Sequence, residues 1–379
     1  MHSARNQWGH LWGTFLNYGI IPFGTMQAAV LEEYQEPLAI EDIERPTPDS
    51  GGVVAEVDAC GVCRSDWHGW VGNWEWFDYK PPLGHVLGHE PSGTVIEVGD
   101  DVETVSEGDE VAIPFNLACG HCHECRVGYE NLCENHLGLG FQEGAPGAFA
   151  EEVPIPNADI NAIRLPEGVD QVDVAGMGCR FMTSYRGMAH KADVSRGEYV
   201  VVYGLGGIGL SAVHIADALG GNVVGVDLMD EKLEFAEELG AIDTVNAAAV
   251  DDPAKAVADI TNGGAHVSLD ALGIEETCQN AIKSLRTRGR HVQIGLTTME
   301  QRGYNPLPTD TIVMNEIQIN GSSGLPPSMY GEMFRMVEHG KLDPGAVVTD
   351  EIELDDVSDE LEAMTDYETV GIPVVSEFV

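Results

Sequence analysis

The sequence predicts an α/β protein that combines a β-rich first part with a doubly wound parallel sheet, and two patterns support this prediction. From residue 26 to about 180, short alternating runs such as VVAEVDACG and PSGTVIEVGD are punctuated by Gly and Pro, which is typical of strands. From about residue 199, the buried-type runs YVVVYG and NVVGVD alternate with amphipathic runs such as GGIGLSAVHIADALG. Strands that alternate with helices indicate a parallel sheet.

The later runs are assigned in chain order from the periodicity of their apolar residues, which is about 3.6 residues for a helix and 2 for a strand. DEKLEFAEELG and TCQNAIKSLRTRG predict helices, AHVSLDALG, RHVQIGL and EIQINGS predict strands, and SMYGEMFRMVEHG predicts a helix. The 379 residues suffice for two domains with a substantial core each. We expect a first domain over 26–180, a second over 181–321 and a return to the first over 322–379, with 1–25 as an appended extension.

The charge balance excludes two classes of partner. The chain has 63 Asp and Glu against 19 Lys and Arg, a net charge of −44, and the acids are spread along its length. Phosphate backbones and anionic lipid would repel such a polyanion, so nucleic acid and membranes are not expected partners. Molar salt, with a Debye length of about 3 Å, would screen the repulsion among the acids. The composition therefore favours a halophile's cytosol.

The sequence also indicates a cytoplasmic protein. No apolar run approaches the roughly 20 residues that span a bilayer. The first 25 residues lack a basic segment followed by a clean apolar one, so a signal peptide is not expected.

Half of the chain's eight cysteines lie in CGHCHECRVGYENLC, at Cys119, Cys122, Cys125 and Cys133. A disulfide framework, a zinc knuckle that binds nucleic acid, and a structural metal clamp would all use such a cluster. A reducing cytoplasm weighs against disulfides. A knuckle needs basic surroundings, and this segment has the single basic residue Arg126 beside several acids. A metal clamp is therefore favoured.

A glycine-rich turn follows the strand YVVVYG and opens the next helix. Gly204, Gly206 and Gly209 form G-x-G-x-x-G, which permits a tight turn, a close approach of backbone N–H groups to a pyrophosphate, and close helix–strand packing. Asp227 closes the next strand, where its carboxylate can accept hydrogen bonds from an adenosine ribose. That carboxylate repels a 2′-phosphate and so favours NAD over NADP. The plainer alternative is a doubly wound sheet with a capping Asp.

Three separated residues form a Cys₂His set. Cys63 lies in ACGVCRSDWHGW, His89 in PPLGHVLGHEPSG and Cys179 in GMGCRFMTSY. Two thiolates and one imidazole are the pattern of a catalytic zinc that keeps one coordination position open. Their spacing in the sequence does not by itself show that these three distant residues meet in the fold. The remaining cysteines, Cys60 and Cys278, are assigned to the core.

In their order, CGVCRSDWH, GHE, the four-cysteine segment, GCRFMTSY and GLGGIG…VD resemble the zinc-dependent medium-chain alcohol dehydrogenases, from about residue 26 to the C-terminus. The resemblance implies a GroES-like catalytic domain and a Rossmann cofactor domain. It implies two zinc ions per chain, one held by Cys63, His89 and Cys179, with Glu90 just behind the metal as a transient ligand. The second would be a structural zinc in a lobe over 116–135, bound by the four clustered cysteines.

The resemblance also assigns roles around the zinc. Asp66 would orient His89, Ser65 would hydrogen-bond the substrate hydroxyl, and His68 would pass its proton outward. Trp74 and Phe115 would line the alcohol pocket and restrict it to small substrates.

Other residues are expected to bind NAD. Arg64 would meet the pyrophosphate, Thr183 the nicotinamide side, and Lys232 the adenosine ribose together with Asp227. The turn that cradles the pyrophosphate would comprise Gly204, Leu205, Gly206, Gly207, Ile208 and Gly209.

Two departures from the family pattern stand out. Ile372 occupies a position where many members carry an Arg near the pyrophosphate, and residues 75–80 look like a short insertion that lines the entrance. The short segment between Cys133 and Cys179 resembles tetrameric microbial members more than dimeric animal ones. Two alternatives stay open: a polyol, sugar or threonine dehydrogenase on the same scaffold, and a non-catalytic paralogue that binds zinc and a dinucleotide.

Overall fold

The computed structural model describes residues 24–75, 79–299 and 301–378. Residues 1–23, which make up nearly all of the predicted extension, lie outside the described residues, as do 76–78 within the predicted insertion. Over the described ranges the chain forms two large sheets and two small ones.

The strands, numbered in chain order, are β1 (Thr25–Leu31), β2 (Ala39–Glu44), β3 (Val53–Gly61), β4 (His85–Val86), β5 (Glu90–Val98), β6 (Glu110–Ala112), β7 (Asn116–Leu117), β8 (Leu137–Gly138), β9 (Glu152–Ile155), β10 (Ile163–Arg164), β11 (Tyr199–Tyr203), β12 (Asn222–Asp227), β13 (Ala241–Asn246), β14 (Ala265–Asp270), β15 (Leu285–Gln293), β16 (Gln318–Gly321), β17 (Val348–Glu353) and β18 (Ile372–Glu377). The α-helices are α1 (Arg64–Val71), α2 (His123–Arg126), α3 (Ala158–Asn161), α4 (Gln171–Gly176), α5 (Met182–Tyr185), α6 (Gly207–Ala218), α7 (Asp230–Glu238), α8 (Pro253–Ile260), α9 (Glu275–Lys283), α10 (Thr309–Met314), α11 (Tyr330–Glu338) and α12 (Val357–Thr365). Two π-helical segments, Met177–Phe181 and Arg186–Lys191, flank α5.

The first large sheet has the order β10-β6-β5-β3-β18-β17, with β9 also paired to β3. Strand β3 lies at its centre, and most of its side chains are therefore buried. It pairs antiparallel with β5, so that Gly61 lies opposite Glu90. This pairing places the residues after β3 beside the residues that begin β5.

The second large sheet is parallel, with the order β13-β12-β11-β14-β15-β16. Strand β11 pairs with β12 on one side and with β14 on the other, and Val200, Val201 and Val202 are fully buried. The strand order reverses beside β11, which is where doubly wound sheets bind ligands at the carboxyl ends of their strands. The predicted α/β fold with a parallel sheet is confirmed.

One predicted helix is too long at its C-terminal end. The run TCQNAIKSLRTRG was expected to be helical throughout, but α9 ends at Lys283 and β15 begins at Leu285. Leu285 pairs with Ala265 of β14, and the guanidinium of Arg286 donates to the carbonyl oxygen of Gly264 at 2.7 Å. Pairing with the neighbouring strand therefore outweighs the local helical pattern.

After the parallel sheet the chain returns to the first sheet. Strand β18 pairs antiparallel with β3, with Val374 opposite Gly61, and β17 pairs with β18. The indole Nε1 of Trp67 in α1 donates to the hydroxyl of Thr365 in α12 at 2.8 Å. The boundaries at 180 and 321 stay predictions. None of the helices in the described ranges has the length and apolar character needed to cross a bilayer.

Candidate active site

Four side chains from distant parts of the chain converge on one point. The ligand atoms of Cys63, His89, Glu90 and Cys179 all lie within 4.8 Å of one another. We call these four residues the buried ligand group, since Cys63 is 2% exposed and His89 and Glu90 are each 1% exposed. The structure thus brings together the residues that the sequence could only place in separate motifs.

The local backbone explains this convergence. Cys63 follows β3 and precedes α1, while His89 and Glu90 stand at the start of β5, the antiparallel neighbour of β3. Cys179 lies in a π-helical segment that bends at Gly178 (φ −44°, ψ −146°). A Cβ at Gly178 would stand only 2.4 Å from the Cβ of Glu90, so only glycine lets this bend press against β5.

His89 is oriented for a metal. Its Nδ1 lies 2.7 Å from Oδ1 of the buried Asp66, which makes Nδ1 the protonated nitrogen and leaves the lone pair on Nε2. Nε2 is buried and has no hydrogen-bond partner within the described residues. Asp66 is itself held by the backbone N–H groups of Cys63 (2.9 Å) and Gly88 (3.1 Å). An unpartnered buried nitrogen facing two thiols is a donor set that fits zinc.

The pKa values of the two thiols, Cys63 and Cys179, shift in opposite directions. Burial raises the pKa of Cys63, but the hydrogen bond with Cys179 and the positive charge of Arg180 lower it by more, so the net pKa lies well below that of an ordinary thiol. The same hydrogen bond, followed by burial, holds the pKa of Cys179 well above its usual range. The pair therefore has thiolate character, which metal ligation requires.

Glu90 has a partner that the sequence analysis missed. Its Oε1 accepts from the backbone N (3.0 Å) and the Nε (3.2 Å) of Arg180, and its Oε2 pairs with Nη2 of the same residue. Burial raises the pKa of Glu90 to about 7, against the opposing charge of Arg180. The Cδ of Arg180 also stands 2.5 Å from where a Cβ on Gly207 would be. Arg180 therefore connects the buried ligand group with the glycine-rich turn. Its position directly after Cys179 is the feature of the sequence that could have identified it.

His68 and Ser65 lie on α1, beyond Cys63. The Nδ1 of His68 lies 2.7 Å from Oδ1 of Asn73, and its ring stacks on Trp74 with 4.1 Å between centroids. Burial lowers the pKa of His68 to about 4, so its imidazole is neutral at pH 7. The half-buried hydroxyl of Ser65 forms no hydrogen bond with any residue that the structure describes.

Three aromatic rings surround the imidazole of His89 and its approach. Phe115 contacts it edge-on with 6.1 Å between centroids, and Phe141, which the sequence analysis did not single out, contacts it at 5.3 Å. Trp74 is 5% exposed and lies 6.4 Å from Phe141. Both predicted pocket residues therefore stand on the His89 side of the buried ligand group.

The glycine-rich turn needs its glycines for space. Gly204 has φ +84°, and a Cβ there would stand 2.6 Å from Leu272. A Cβ on Gly209 would lie 1.8 Å from the carbonyl oxygen of Gly204. Gly206 is the N-cap of α6, and a Cβ at this position would have no atom within 4 Å. Leu205 is fully buried, and Ile208 is partly buried. The turn thus leaves its N–H groups at the helix N-terminus open to an anion.

Asp227 and Thr183 are both engaged with backbone groups. At the end of β12, Asp227 accepts from the N–H of Leu205 at 2.7 Å through Oδ2 and from that of Leu228 at 2.7 Å through Oδ1. Oδ1 also accepts from the N–H of Met229 at 3.2 Å, so Asp227 fastens the turn while Oδ2 keeps a lone pair for a further donor. The buried Thr183 accepts the N–H of Gly324 at 3.1 Å through its hydroxyl.

The two cations predicted to meet the cofactor contact the end of α12 and the residues that follow it. Arg64 Nη1 donates to the carbonyl of Met364, and Lys232 Nζ donates to that of Tyr367 at 2.9 Å. Ile372 is fully buried as the first residue of β18, so its side chain points into the core.

The second cysteine group is local in sequence. The sulfur atoms of Cys119, Cys122, Cys125 and Cys133, which we call the cysteine lobe, lie within 4.8 Å of one another and form no disulfides. Cys122 Sγ stands 3.4 Å from that of Cys125 and 3.8 Å from that of Cys133. Tetrahedral ligation at a Zn–S distance of about 2.3 Å requires sulfur atoms about 3.8 Å apart, so the lobe fits a closed zinc site.

Comparison with known proteins agrees with this geometry. Residues 49–167 match the family described as alcohol dehydrogenase GroES-like domain, and residues 207–339 match the one described as zinc-binding dehydrogenase. An alcohol dehydrogenase of Geobacillus stearothermophilus is 35% identical over 89% of this chain and 95% of its own length. The chain belongs to the zinc-binding medium-chain alcohol dehydrogenase family.

Two further relatives also align with this chain over nearly its full length. An NAD-dependent alcohol dehydrogenase of Sulfurisphaera tokodaii is 33% identical over 92% of this chain and 99% of its own length. The solved structure of the alcohol dehydrogenase TADH from Thermus sp. ATN1 superposes with a TM-score of 0.84 at 27% identity, covering 92% of this chain and 99% of that one. The family resemblance and the GroES-like and Rossmann-type fold expected from the sequence are confirmed.

Proposed function

We propose that this chain interconverts small alcohols with aldehydes or ketones, with zinc and NAD as cofactors. The observation that carries the proposal is the convergence of Cys63, His89 and Cys179, with the unpartnered Nε2 of His89 among them. Arg180 connects this group to the glycine-rich turn, so a metal site and a dinucleotide turn lie next to each other. The relatives named as alcohol dehydrogenases, some of them NAD-dependent, support the same reaction.

Each cofactor has residues that would hold it. Bound zinc would supply a Lewis acid that lowers the pKa of an alcohol hydroxyl, and NAD would accept the hydride. Cys63, His89 and Cys179 would ligate the metal while Asp66 keeps the proton of His89 on Nδ1. Glu90 would ligate only on release from Arg180, which makes its role transient.

The proton would leave along α1. Ser65 would accept a hydrogen bond from the substrate hydroxyl, because its own hydroxyl has no competing partner among the described residues. The Nδ1 of His68 donates to Asn73, so the lone pair is on Nε2, and this atom would take the proton. With its pKa lowered to about 4 by burial, the ring is unprotonated at pH 7 and can accept.

Substrate size would be set by the rings near His89. Phe115, Phe141 and Trp74 would leave space for a short chain and would crowd a sugar or a branched secondary alcohol. Each buried methylene that finds space is worth about 0.8 kcal/mol, so enlarging the pocket should shift the preference toward longer alcohols.

We further propose two zinc ions per chain, the second in the cysteine lobe, and a preference for NAD over NADP because of Asp227. Thr183 would contact the nicotinamide side. The assembly would be a homotetramer, with a dimer as the alternative, in a salt-adapted cytoplasmic enzyme that the net charge of −44 favours.

One experiment tests the function directly. The protein is purified in molar KCl and assayed for NADH formation with short alcohols, polyols, sugars and threonine. Ethanol, propanol and butanol should give higher kcat/KM than sorbitol, glucose or threonine. A preference for polyols would support the alternative dehydrogenase. No turnover with any of these, together with NADH binding, would support the non-catalytic alternative.

A further inference from the structure

Arg64 and Lys232 form a pair of neighbouring cations. Lys232 is 6% exposed and Arg64 is half-buried, and within the described ranges neither forms an ion pair with a carboxylate. Burial lowers the pKa of Lys232, the negative charge of Asp227 partly opposes this shift, and the charge of Arg64 adds to it, so the two cations lie close enough to repel. In a chain with 63 acidic residues, this arrangement indicates a site kept for an anionic ligand.

Tyr367 contacts both cations. Its carbonyl oxygen accepts from Lys232 Nζ at 2.9 Å, and the centre of its ring lies 4.1 Å from the guanidinium carbon of Arg64. The ring of Trp67 lies 3.9 Å from the same carbon. Arg64 therefore contacts two rings, each of which favours a cation.

The backbone of Tyr367 pays a conformational cost for this position. Its φ is +61°, a left-handed conformation that a residue with a Cβ adopts reluctantly and a glycine adopts freely. The side chain is 48% exposed, so core burial does not hold it there. Strain of this kind persists where neighbouring contacts impose it, and it occurs often at ligand sites. Two backbone hydrogen bonds at the end of α12, from the N–H of Tyr367 to the carbonyl of Met364 and from the N–H of Glu368 to that of Ala363, both at 3.2 Å, hold this conformation together with the contacts to Arg64 and Lys232.

We propose that Tyr367 is a positioning residue for the dinucleotide, which holds Arg64 and Lys232 ready for its pyrophosphate and adenosine ribose. The inference rests on the proposed function and names a determinant of cofactor affinity within it. With Nη1 on the Met364 carbonyl, the guanidinium keeps further N–H donors, which suit hydrogen bonds to a phosphate. Ordering the side chain before binding reduces the entropy lost on binding.

The same contacts connect separate parts of the fold. Arg64 begins α1 beside the buried ligand group, Lys232 lies on α7 beside the parallel sheet, and Tyr367 follows α12. Tyr367 therefore also links the metal side of the cleft with the nucleotide side.

The test compares Tyr367→Gly with Tyr367→Phe. Glycine removes the ring and relieves the backbone strain, whereas phenylalanine keeps the ring. Dissociation constants are measured in molar KCl for NADH by fluorescence, and for ADP and adenosine by competition. We expect Tyr367→Gly to bind NADH and ADP about tenfold more weakly, the scale of a partly buried cation–π contact. Adenosine, which lacks the pyrophosphate, should bind as before, and Tyr367→Phe should restore the affinity for NADH and ADP.

Melting temperature and steady-state kinetics separate positioning from a merely structural role. Tyr367→Gly should melt no lower than the wild type, because its strain is relieved, while its KM for NAD rises more than kcat changes. Gln35→Gly is the matched control, since Gln35 is exposed, has φ +65° and contacts neither cation. It should leave NADH affinity unchanged.

Three outcomes would overturn the proposal. Unchanged or tighter NADH binding in Tyr367→Gly would show that Tyr367 plays no part or competes with the cofactor. An equal loss in Tyr367→Phe would assign the effect to the hydroxyl instead of the ring. A wild type that binds neither NADH nor ADP would overturn the dinucleotide proposal and this one with it, whereas the first two outcomes leave the proposed function standing.

Discussion

The buried ligand group and the cysteine lobe offer similar atoms to a metal but are built in different ways. The lobe takes its four thiols from fifteen consecutive residues, and backbone N–H groups point at them, as from Cys119 and Asn135 to Cys133 Sγ at 3.3 Å each. The buried ligand group takes its atoms from segments separated by many residues, and its partners are the charged side chains of Asp66 and Arg180.

Because of this difference, we expect the lobe to contribute to stability and the buried ligand group to the chemical step. Four thiolates would saturate a tetrahedral ion, so a metal in the lobe would stabilise its loop and take no part in the reaction. Two thiolates and one imidazole would leave one coordination position for substrate, and the aromatic rings of Phe115 and Phe141 lie against that imidazole. We therefore expect the two groups to respond to substitution in opposite ways.

The largest effect is expected from Cys63→Ser. A serine hydroxyl is a much poorer zinc ligand than a thiolate, so kcat/KM for ethanol should fall by at least about 10³-fold while the melting temperature changes little. Cys60→Ser is the matched control, because Cys60 is buried nearby but is not a ligand. It should keep activity within a few-fold of the wild type. A Cys63→Ser enzyme with more than a tenth of wild-type activity would contradict the assignment.

Cys122→Ser should show the reverse. Because the binding energy of a structural metal is folding energy, loss of this ligand should lower the free energy of unfolding by about 2 kcal/mol or more. The remaining folded enzyme should keep its kcat. Thermal melting measures this, with Cys278→Ser, a buried cysteine outside both groups, as the control. Equal losses of melting temperature in Cys63→Ser and Cys122→Ser would argue against the division of roles.

Asp66→Asn should act on one metal site alone. The amide keeps the shape but loses the charge that holds the proton on His89 Nδ1, so zinc affinity at the buried ligand group should fall about 10–100-fold. Release of zinc to a chromogenic chelator should show one accelerated phase and one unchanged phase from the lobe. Asp58→Asn, which alters a carboxylate that accepts from Thr94, should release zinc as the wild type does. Acceleration of both phases would show that the sites are not independent.

The smallest effect is expected from His68→Gln, because solvent base can substitute for the imidazole. Burial lowers the pKa of His68 to about 4, so the neutral ring that accepts a proton predominates above that pH and is lost only below it. The wild type should therefore lose no alcohol oxidation through this group between about pH 6 and about pH 9. In His68→Gln solvent base must substitute, so the deficit should shrink as pH rises. A pH-independent deficit would remove His68 from the proton path.

Part of the site could be predicted from the sequence because the motifs that form it are local. The spacing of Cys119 to Cys133 and the G-x-G-x-x-G turn each lie within one short segment, where chain connectivity alone limits the geometry. Arg180, Phe141 and Tyr367 were not assigned because their partners are distant in sequence. The run from Leu285 to Gly289 was misassigned for the same reason, since its pairing with β14 is a tertiary contact.

The sequence by itself determined the alternation of strands and helices, the local cysteine lobe and the glycine-rich turn, because each follows from periodicity or spacing along a short stretch. The tertiary structure alone decided that the end of β3 meets the start of β5, that Gly178 admits Cys179 beside Glu90, and that Arg180 joins the metal ligands to Gly207. It also decided that Tyr367 adopts a strained backbone between two cations. These contacts depend on strand register and packing across many residues, and no local pattern of residues specifies them.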